Sequence, residues 1–225
     1  MGYTTKTLES NKWYLISSGF EAVGGNALSI QDFITGLTPG YEVYDAPNIQ
    51  YWDGTELKTI IYADGVWSEE AGDFIVGWVD PMSGNIATID AGAGFGCWIK
   101  LPYSGSITCA GQVVSADTKT KDISTTWELI GNPYPIALDI NNKEQFDCSQ
   151  LTPGYEVYDS PNIQYWDQTE LKTLIYADGV WSEDAGDFIV GWVDPMSGNM
   201  MTEKFSACTG FWIRGITAGK IKFVK

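Results

Sequence analysis

The chain has 225 residues, a net charge of −16 from 13 basic and 29 acidic side chains, and no histidine. A charge of that sign repels nucleic-acid phosphates and anionic membrane surfaces, and the missing imidazole removes the commonest general base and transition-metal ligand. Hydrophobic residues at 44% and aromatics at 14% supply globular cores, while abundant Gly and few strongly helical stretches point to an all-β class.

In chain order, residues 3–8 alternate and are Thr-rich, as a first strand would be, and a turn at 9–12 leads into a second strand at 13–17 (WYLIS). Residues 28–37 place Ile30, Phe33, Ile34 and Leu37 at helical spacing behind a capping Ser29, with Asp32 three positions on, so one or two helical turns are predicted. Short strands follow at 41–44, 49–52 and 57–62, separated by Pro39-Gly40, Ala46-Pro47-Asn48 and Asp53-Gly54. Asp64-Gly65 between IIYA and VWSE is a strong hairpin signal. A strand at 74–79 stops at Asp80-Pro81 and the Ser83-Gly84-Asn85 turn, and 95–100 with 106–109 read as a closing hairpin around 101–105.

The second half repeats the first. Segment 37–87 returns as 151–201, displaced by 114 positions and differing at six of 51: Ala46/Ser160, Gly54/Gln168, Ile60/Leu174, Glu70/Asp184, Ile86/Met200 and Ala87/Met201. The WYLIS strand has its counterpart at 127–131 (WELIG), followed by Asn132, Pro133 and Tyr134. Residues 140–151 (INNKEQFDCSQL) match the helical stretch with less periodicity, part of 117–123 mimics 5–8, and 210–214 with 220–224 close the chain. The expected architecture is two tandem copies of a small β-sandwich or partly closed barrel-like domain, each with one short helical turn: 1–110, a linker at 111–116, and 117–225.

Pairing the closing hairpin about Tyr103 sets Cys97 opposite Cys109, where the second copy has Phe211 and Phe223. A disulfide in place of an aromatic cross-strand contact is expected there, against the plainer reading of two buried thiols. Cys148 and Cys208 stand where the first copy has Ile34 and Gly94 and form a second candidate disulfide. An even count split two and two favours an oxidising compartment. No CxxC occurs, so zinc-ribbon or thioredoxin-like chemistry is not indicated.

Three kinds of site suggest themselves. Glu69-Glu70 with Asp73, and Glu183-Asp184 with Asp187, are carboxylate groups of the type that hydrolyses glycosides, although charged residues in a turn such as VWSEEAGD are ordinarily solvated. Asp45, Asp53, Asp64, Asp73 and Asp80, all repeated in the second copy, offer oxygen for a structural calcium ion, yet no EF-hand or Gly-Asp repeat spacing is present and Asp is the usual turn residue. No cofactor or metal is therefore expected. The aromatics are the third kind. In Tyr51-Trp52 and Val66-Trp67 adjacent side chains face opposite ways, so Tyr51, Trp52, Trp67 and their counterparts Tyr165, Trp166 and Trp181 are the candidate ligand or contact aromatics, most rings otherwise filling two cores or the seam between them. No GxSxG, P-loop or GxGxxG occurs.

The segments GYTTKTLESNKWYLI, LIGNPYP, GFGCWIK and GFWIR, present across both copies, resemble exported tandem-repeat β proteins of the Verrucomicrobia, Lentisphaerae and related bacteria. That group carries a GY strand, a W-x-L-I strand often followed by N-P, a YxWD-like centre and a late G-x-G-[FY]-[FW]-[IV] strand. The chain departs from it at Ser17-Ser18-Gly19, where the second copy has Gly131-Asn132-Pro133, and at Cys97 in place of an aromatic residue. The resemblance implies export and a β-rich module, and no reaction.

The expectation is thus a non-enzymatic extracellular or cell-surface protein. Its leading reading is a building block of a surface layer, fibre or adhesive appendage that contacts itself, with terminal strands 3–8 and 220–224 available to neighbouring edges. Its rival is a carbohydrate-binding protein with two equivalent aromatic-lined sites for a polysaccharide. Neither nucleic acid nor a membrane span is expected, since no apolar run is long enough to cross a bilayer.

Overall fold

The computed structural model describes residues 1–24, 27–68, 72–182 and 186–225. The first half contains β1 (Gly2–Leu8), β2 (Trp13–Ser17), β3 (Phe20–Glu21), helix α1 (Ile30–Phe33), β4 (Ile34–Thr35), β5 (Asn48–Trp52), β6 (Leu57–Ser68), β7 (Asp73–Val79), β8 (Gly96–Lys100) and β9 (Gly105–Val113). The second contains β10 (Thr118–Ile123), β11 (Glu128–Gly131), β12 (Phe146–Asp147), β13 (Asn162–Trp166), β14 (Leu171–Ser182), β15 (Asp187–Val193), β16 (Gly210–Arg214) and β17 (Gly219–Val224). The chain is nearly all β, in several antiparallel sheets of which none is closed.

Two five-stranded sheets share one order, β2-β8-β5-β6-β7 and β11-β16-β13-β14-β15. Two smaller sheets hold the remaining strands. In the first half β9 is flanked by β1 along one edge and by β4 and β3 along the other; in the second, β17 lies between β10 and β12. Strand alternation sends every second side chain inward. One core therefore joins Leu8, Phe20, Ile34 and Ile107 to Ile16, Ile49, Ile60, Ile99 and Trp78. A second joins Ile123, Phe146, Ile221 and Phe223 to Ile130, Ile163, Leu174, Phe211, Ile213 and Trp192.

Helix α1 is the turn expected behind Ser29, whose hydroxyl accepts from the Gln31 amide at 3.2 Å. No helix forms at 140–151. Asp139 and Asn142 accept amide protons from Asn141 and Glu144 and hold the segment in turns until β12 begins.

Three strand expectations fail for identifiable reasons. Residues 41–44 form a turn, because Asp45 Oδ1 draws in the amides of Tyr41 (2.9 Å) and Glu42 (2.7 Å); Asp159 does the same to Tyr155 and Glu156. Asp64-Gly65 makes no hairpin. The positive φ of Gly65 (71°) is used in a bulge within the long strand β6, where the register against β7 slips between Ala63 and Val66. The closing hairpin also does not form, since β8 has both edges occupied by β2 and β5 while buried Leu101 carries the chain across to the other sheet, where β9 pairs with β1.

The outer faces of the two large sheets meet in a tryptophan seam. Leu15, Leu129 and Trp212 are buried there, with Trp52, Trp98, Trp127 and Trp166 packed against them. Trp52 meets Trp212 edge-on at 5.8 Å, and the equivalent Trp166 meets Trp98 at 5.9 Å. Lys100 lies 5.0 Å over Trp13, and Arg214 lies 5.0 Å over Trp127. Each contact thus recurs with the halves exchanged, worth about 1 kcal/mol per aromatic pair beyond the area covered.

Candidate functional site

The long hairpin β6–β7 and its repeat β14–β15 are the most distinctive surfaces. Across the ladder Tyr62 pairs with Trp78 and Trp67 with Phe74, and partners share a face. Period-two alternation puts Val76 on that face too. Tyr62 and Trp78 lie on the first core, Trp78 wholly buried. Further out the same face is uncovered: Trp67 is 53% exposed, Phe74 65% and Val76 43%. In the repeat, Trp181 is 55% and Phe188 65% exposed. The same face is thus buried at Trp78 and Trp192 and bare towards the hairpin end.

The other side of each hairpin is packed. Ile61, Ala63, Val66 and Val79 form a small cluster with Ala46 from the 41–47 turn, and Ile175, Ala177, Val180 and Val193 form its counterpart with Met200 beside them. Trp67 and Phe74 stack edge-on at 5.3 Å, as do Trp181 and Phe188. The aromatic pair is therefore held on a braced platform.

Strand β7 is also the edge of its sheet. At Trp78 that edge is closed by an amide side chain. Gln31 Nε2 donates to Trp78 O (2.9 Å) and Ala87 O (3.0 Å), and Gln31 Oε1 accepts from Trp78 N (2.8 Å). Asn141 does the same for β15, donating to Trp192 O and Met201 O and accepting from Trp192 N. Among the described residues no strand pairs with 73–77 or 187–191 on the outer side. Each hairpin thus offers an open edge beside an exposed aromatic pair.

The other candidate residues fall elsewhere. Trp52 and Trp166 belong to the seam, and Tyr51 and Tyr165 lie half-buried against the first and second cores. Glu69, Glu70, Glu183 and Asp184 lie outside the described residues. The repeated aspartates accept amide protons of their own turns: Asp53 from Thr55 and Glu56, Asp64 from Gly65, Asp73 from Phe74, and Asp80 from Met82 and Ser83. Backbone and hydroxyl donors hold the Asp53 carboxyl down at about 2, led by the Glu56 amide, and Asp167 likewise, led by the Thr169 hydroxyl. Among the described residues no group of three His, Cys, Asp or Glu is arranged to hold a metal.

The four cysteines are free and buried, so neither expected disulfide forms. Cys97 lies in β8 beside Ile16 and Tyr51, and Cys109 lies in β9 opposite Thr4 and Ile34. The pairing about Tyr103 assumed a hairpin that is absent. Cys148 belongs to the second core, whereas Cys208 enters the first, its Sγ 2.9 Å from Thr4 Oγ1. The residue that aligns with Ile34 is Phe146, since Ile34 pairs with Cys109 as Phe146 pairs with Phe223. Burial pushes the Cys109 thiol up to about 12 and raises Cys97 and Cys148 as well.

Terminal strand β17 is no free edge either, because β10 and β12 flank it; among the described residues no strand pairs along the other side of β1. Sequence reasoning singled out Trp67 and Trp181 but missed Phe74, Phe188, Gln31 and Asn141. The alternation Phe74-Val76-Trp78 signals a shared apolar face, yet nothing local says where the covering sheet ends. No protein-family model, no curated protein and no solved structure matches the chain.

Proposed function

We propose that the chain is a non-enzymatic, exported tandem-repeat protein, a building block of a surface layer, fibre or adhesive appendage. Each half is read as a sandwich-like unit, a large sheet over a small one, and the two units are clamped by the tryptophan seam. The observation that carries this reading is the pair of overhanging hairpins, each with an open edge and a bare aromatic pair. Export rests on the resemblance to exported repeat modules and on the acidic surface; free thiols lend it no support. No described helix is long and apolar enough to cross a membrane.

Covering a large apolar side chain fully is worth about 1.5–3 kcal/mol, so burying the bare parts of Trp67, Phe74 and Val76 contributes roughly 4 kcal/mol. Hairpin against hairpin doubles that, against an association cost of at least about 4 kcal/mol. A single contact is therefore weak, and two per chain let it propagate. The charge of −16 opposes close approach, so salt should promote assembly. Electron microscopy of concentrated protein in high salt tests the reading: sheets or filaments are expected, and a field of uniform single particles would count against it.

A further inference from the structure

Each half also carries an open groove that the hairpin contacts leave unused. In the first half it runs between the β5–β6 turn and the segment after β7, with a volume of about 770 Å3; its counterpart in the second half has about 740 Å3. Both lie within the size range of small-ligand sites. Tyr51, Leu57, Lys58, Asp80, Met82 and Asn85 line the first, and the residues 114 positions later line the second.

We infer that these grooves bind neutral oligosaccharide chains, the first more tightly than the second. A sugar ring presents hydroxyls around its rim and C–H groups on its faces. The groove answers both: Leu57 and Met82 stand exposed as apolar contacts, and phenol, carboxylate and carboxamide groups lie between them. Among the described residues the Tyr51 hydroxyl and Asp80 Oδ2 make no hydrogen bond, Asp80 using only Oδ1 for its turn. They are available as donor and acceptor. Burial and the Asp53 and Asp80 carboxylates raise the Tyr51 pKa, which keeps the phenol a donor.

Charge selects the class of sugar. Glu56 and Asp80 outnumber Lys58, whose ammonium is held by Glu56 and Asp53. In the second groove Asp167, Glu170, Asp194 and Glu203 face Lys172 alone. Uronic-acid or phosphate-bearing chains are therefore disfavoured. The grooves differ where the repeats differ. Met201 stands where the first half has Ala87, and the Tyr165 hydroxyl donates to Met201 Sδ at 3.7 Å. That contact engages the phenol of the second groove, hence the weaker site.

The test is calorimetric titration of the whole chain with neutral hexasaccharides of glucose, mannose and N-acetylglucosamine, with oligogalacturonate as the anionic control. Binding of at least one neutral hexasaccharide is expected, weakened about tenfold by Tyr51→Phe, which keeps the ring and removes one hydrogen bond. Met201→Ala, which recreates the first-half residue, is expected to strengthen the second site. The inference is overturned if no neutral hexasaccharide binds at millimolar concentration, if Tyr51→Phe leaves binding unchanged, or if oligogalacturonate binds better than the neutral chains. Its failure would leave the hairpin reading untouched, since the two surfaces share no residue used here.

Discussion

Replacing Gln31 with Leu keeps much of the side-chain volume and deletes the amide that closes the edge of β7. Three hydrogen bonds disappear, two to carbonyls at 2.9 and 3.0 Å and one from the Trp78 amide at 2.8 Å. At about 1 kcal/mol for each, the change costs about 3 kcal/mol, and the Trp78 amide loses its partner beside a fully buried ring. The approach depends on Gly77, where a Cβ would sit 2.8 Å from Gln31 Oε1, and on Gly191, where one would sit 3.0 Å from Asn141 Oδ1. Asn141→Leu should therefore cost a similar amount although Asn141 occupies a different place in the repeat. Urea unfolding measures the loss directly, and a melting temperature lowered by roughly 6–12 °C is the expected thermal equivalent for a cooperative chain of this size. Hydrogen exchange should show the Trp78 amide losing protection in Gln31→Leu alone. A cost below about 1 kcal/mol in either variant, or an unchanged Trp78 amide, would refute the assignment of these amides as edge caps.

The halves meet closely at several glycines, Gly96 and Gly210 among them: a Cβ on Gly96 would lie 2.7 Å from Ile130 O, and one on Gly210 2.5 Å from Ile16 O. Gly96→Ala and Gly210→Ala should each cost about 1–3 kcal/mol in denaturant unfolding, and neutral outcomes would contradict the seam. All four thiols should resist a thiol reagent in the native protein and react once it is unfolded; reagent-resistant pairs in denaturant would show disulfides instead. Because burial raises the Cys109 pKa from 9.0 to about 12, its contribution to stability is complete below pH 9.0 and is lost as pH climbs towards 12, so alkaline unfolding should begin in that window. For Asp53 and Asp167 the sign is opposite. Their depressed pKa of about 2 stabilises the fold above the ordinary 3.8 and is lost as pH falls to about 2, which carboxyl titration by NMR should show as midpoints near the lower value.

Elements set by local chemistry were legible in the sequence. Strand β2, the core of β5 and β7, and the Ser29-capped turn follow from alternation, turn residues and a capping side chain. What failed depended on distant partners. Asp64-Gly65 supplies a positive φ that serves a bulge as well as a hairpin, and only the long β6–β7 ladder selects the bulge. Residues 95–109 read as a hairpin because adjacency in sequence suggests pairing, whereas β2 and β5 claim both edges of β8. Trp52 and Trp67 carry the same signal, a large ring beside another apolar residue. The other half of the chain covers Trp52, whereas the described residues leave Trp67 more than half exposed. The edge caps were hidden for another reason: Gln31 and Asn141 lie outside the near-identical segment and do not align with each other.

The central claim is that the two overhanging hairpins join one chain to the next. Sedimentation velocity over a concentration series, in low and high salt, measures it directly on the parent chain and on a variant carrying Trp67→Ser, Phe74→Ser, Trp181→Ser and Phe188→Ser. All four side chains are more than half exposed, so the variant should keep the parent's circular dichroism and thermal unfolding. The parent should gain mass with concentration and with salt while the variant stays a monomer throughout. A parent that remains monomeric under every condition, or a folded variant that assembles equally well, would contradict the account.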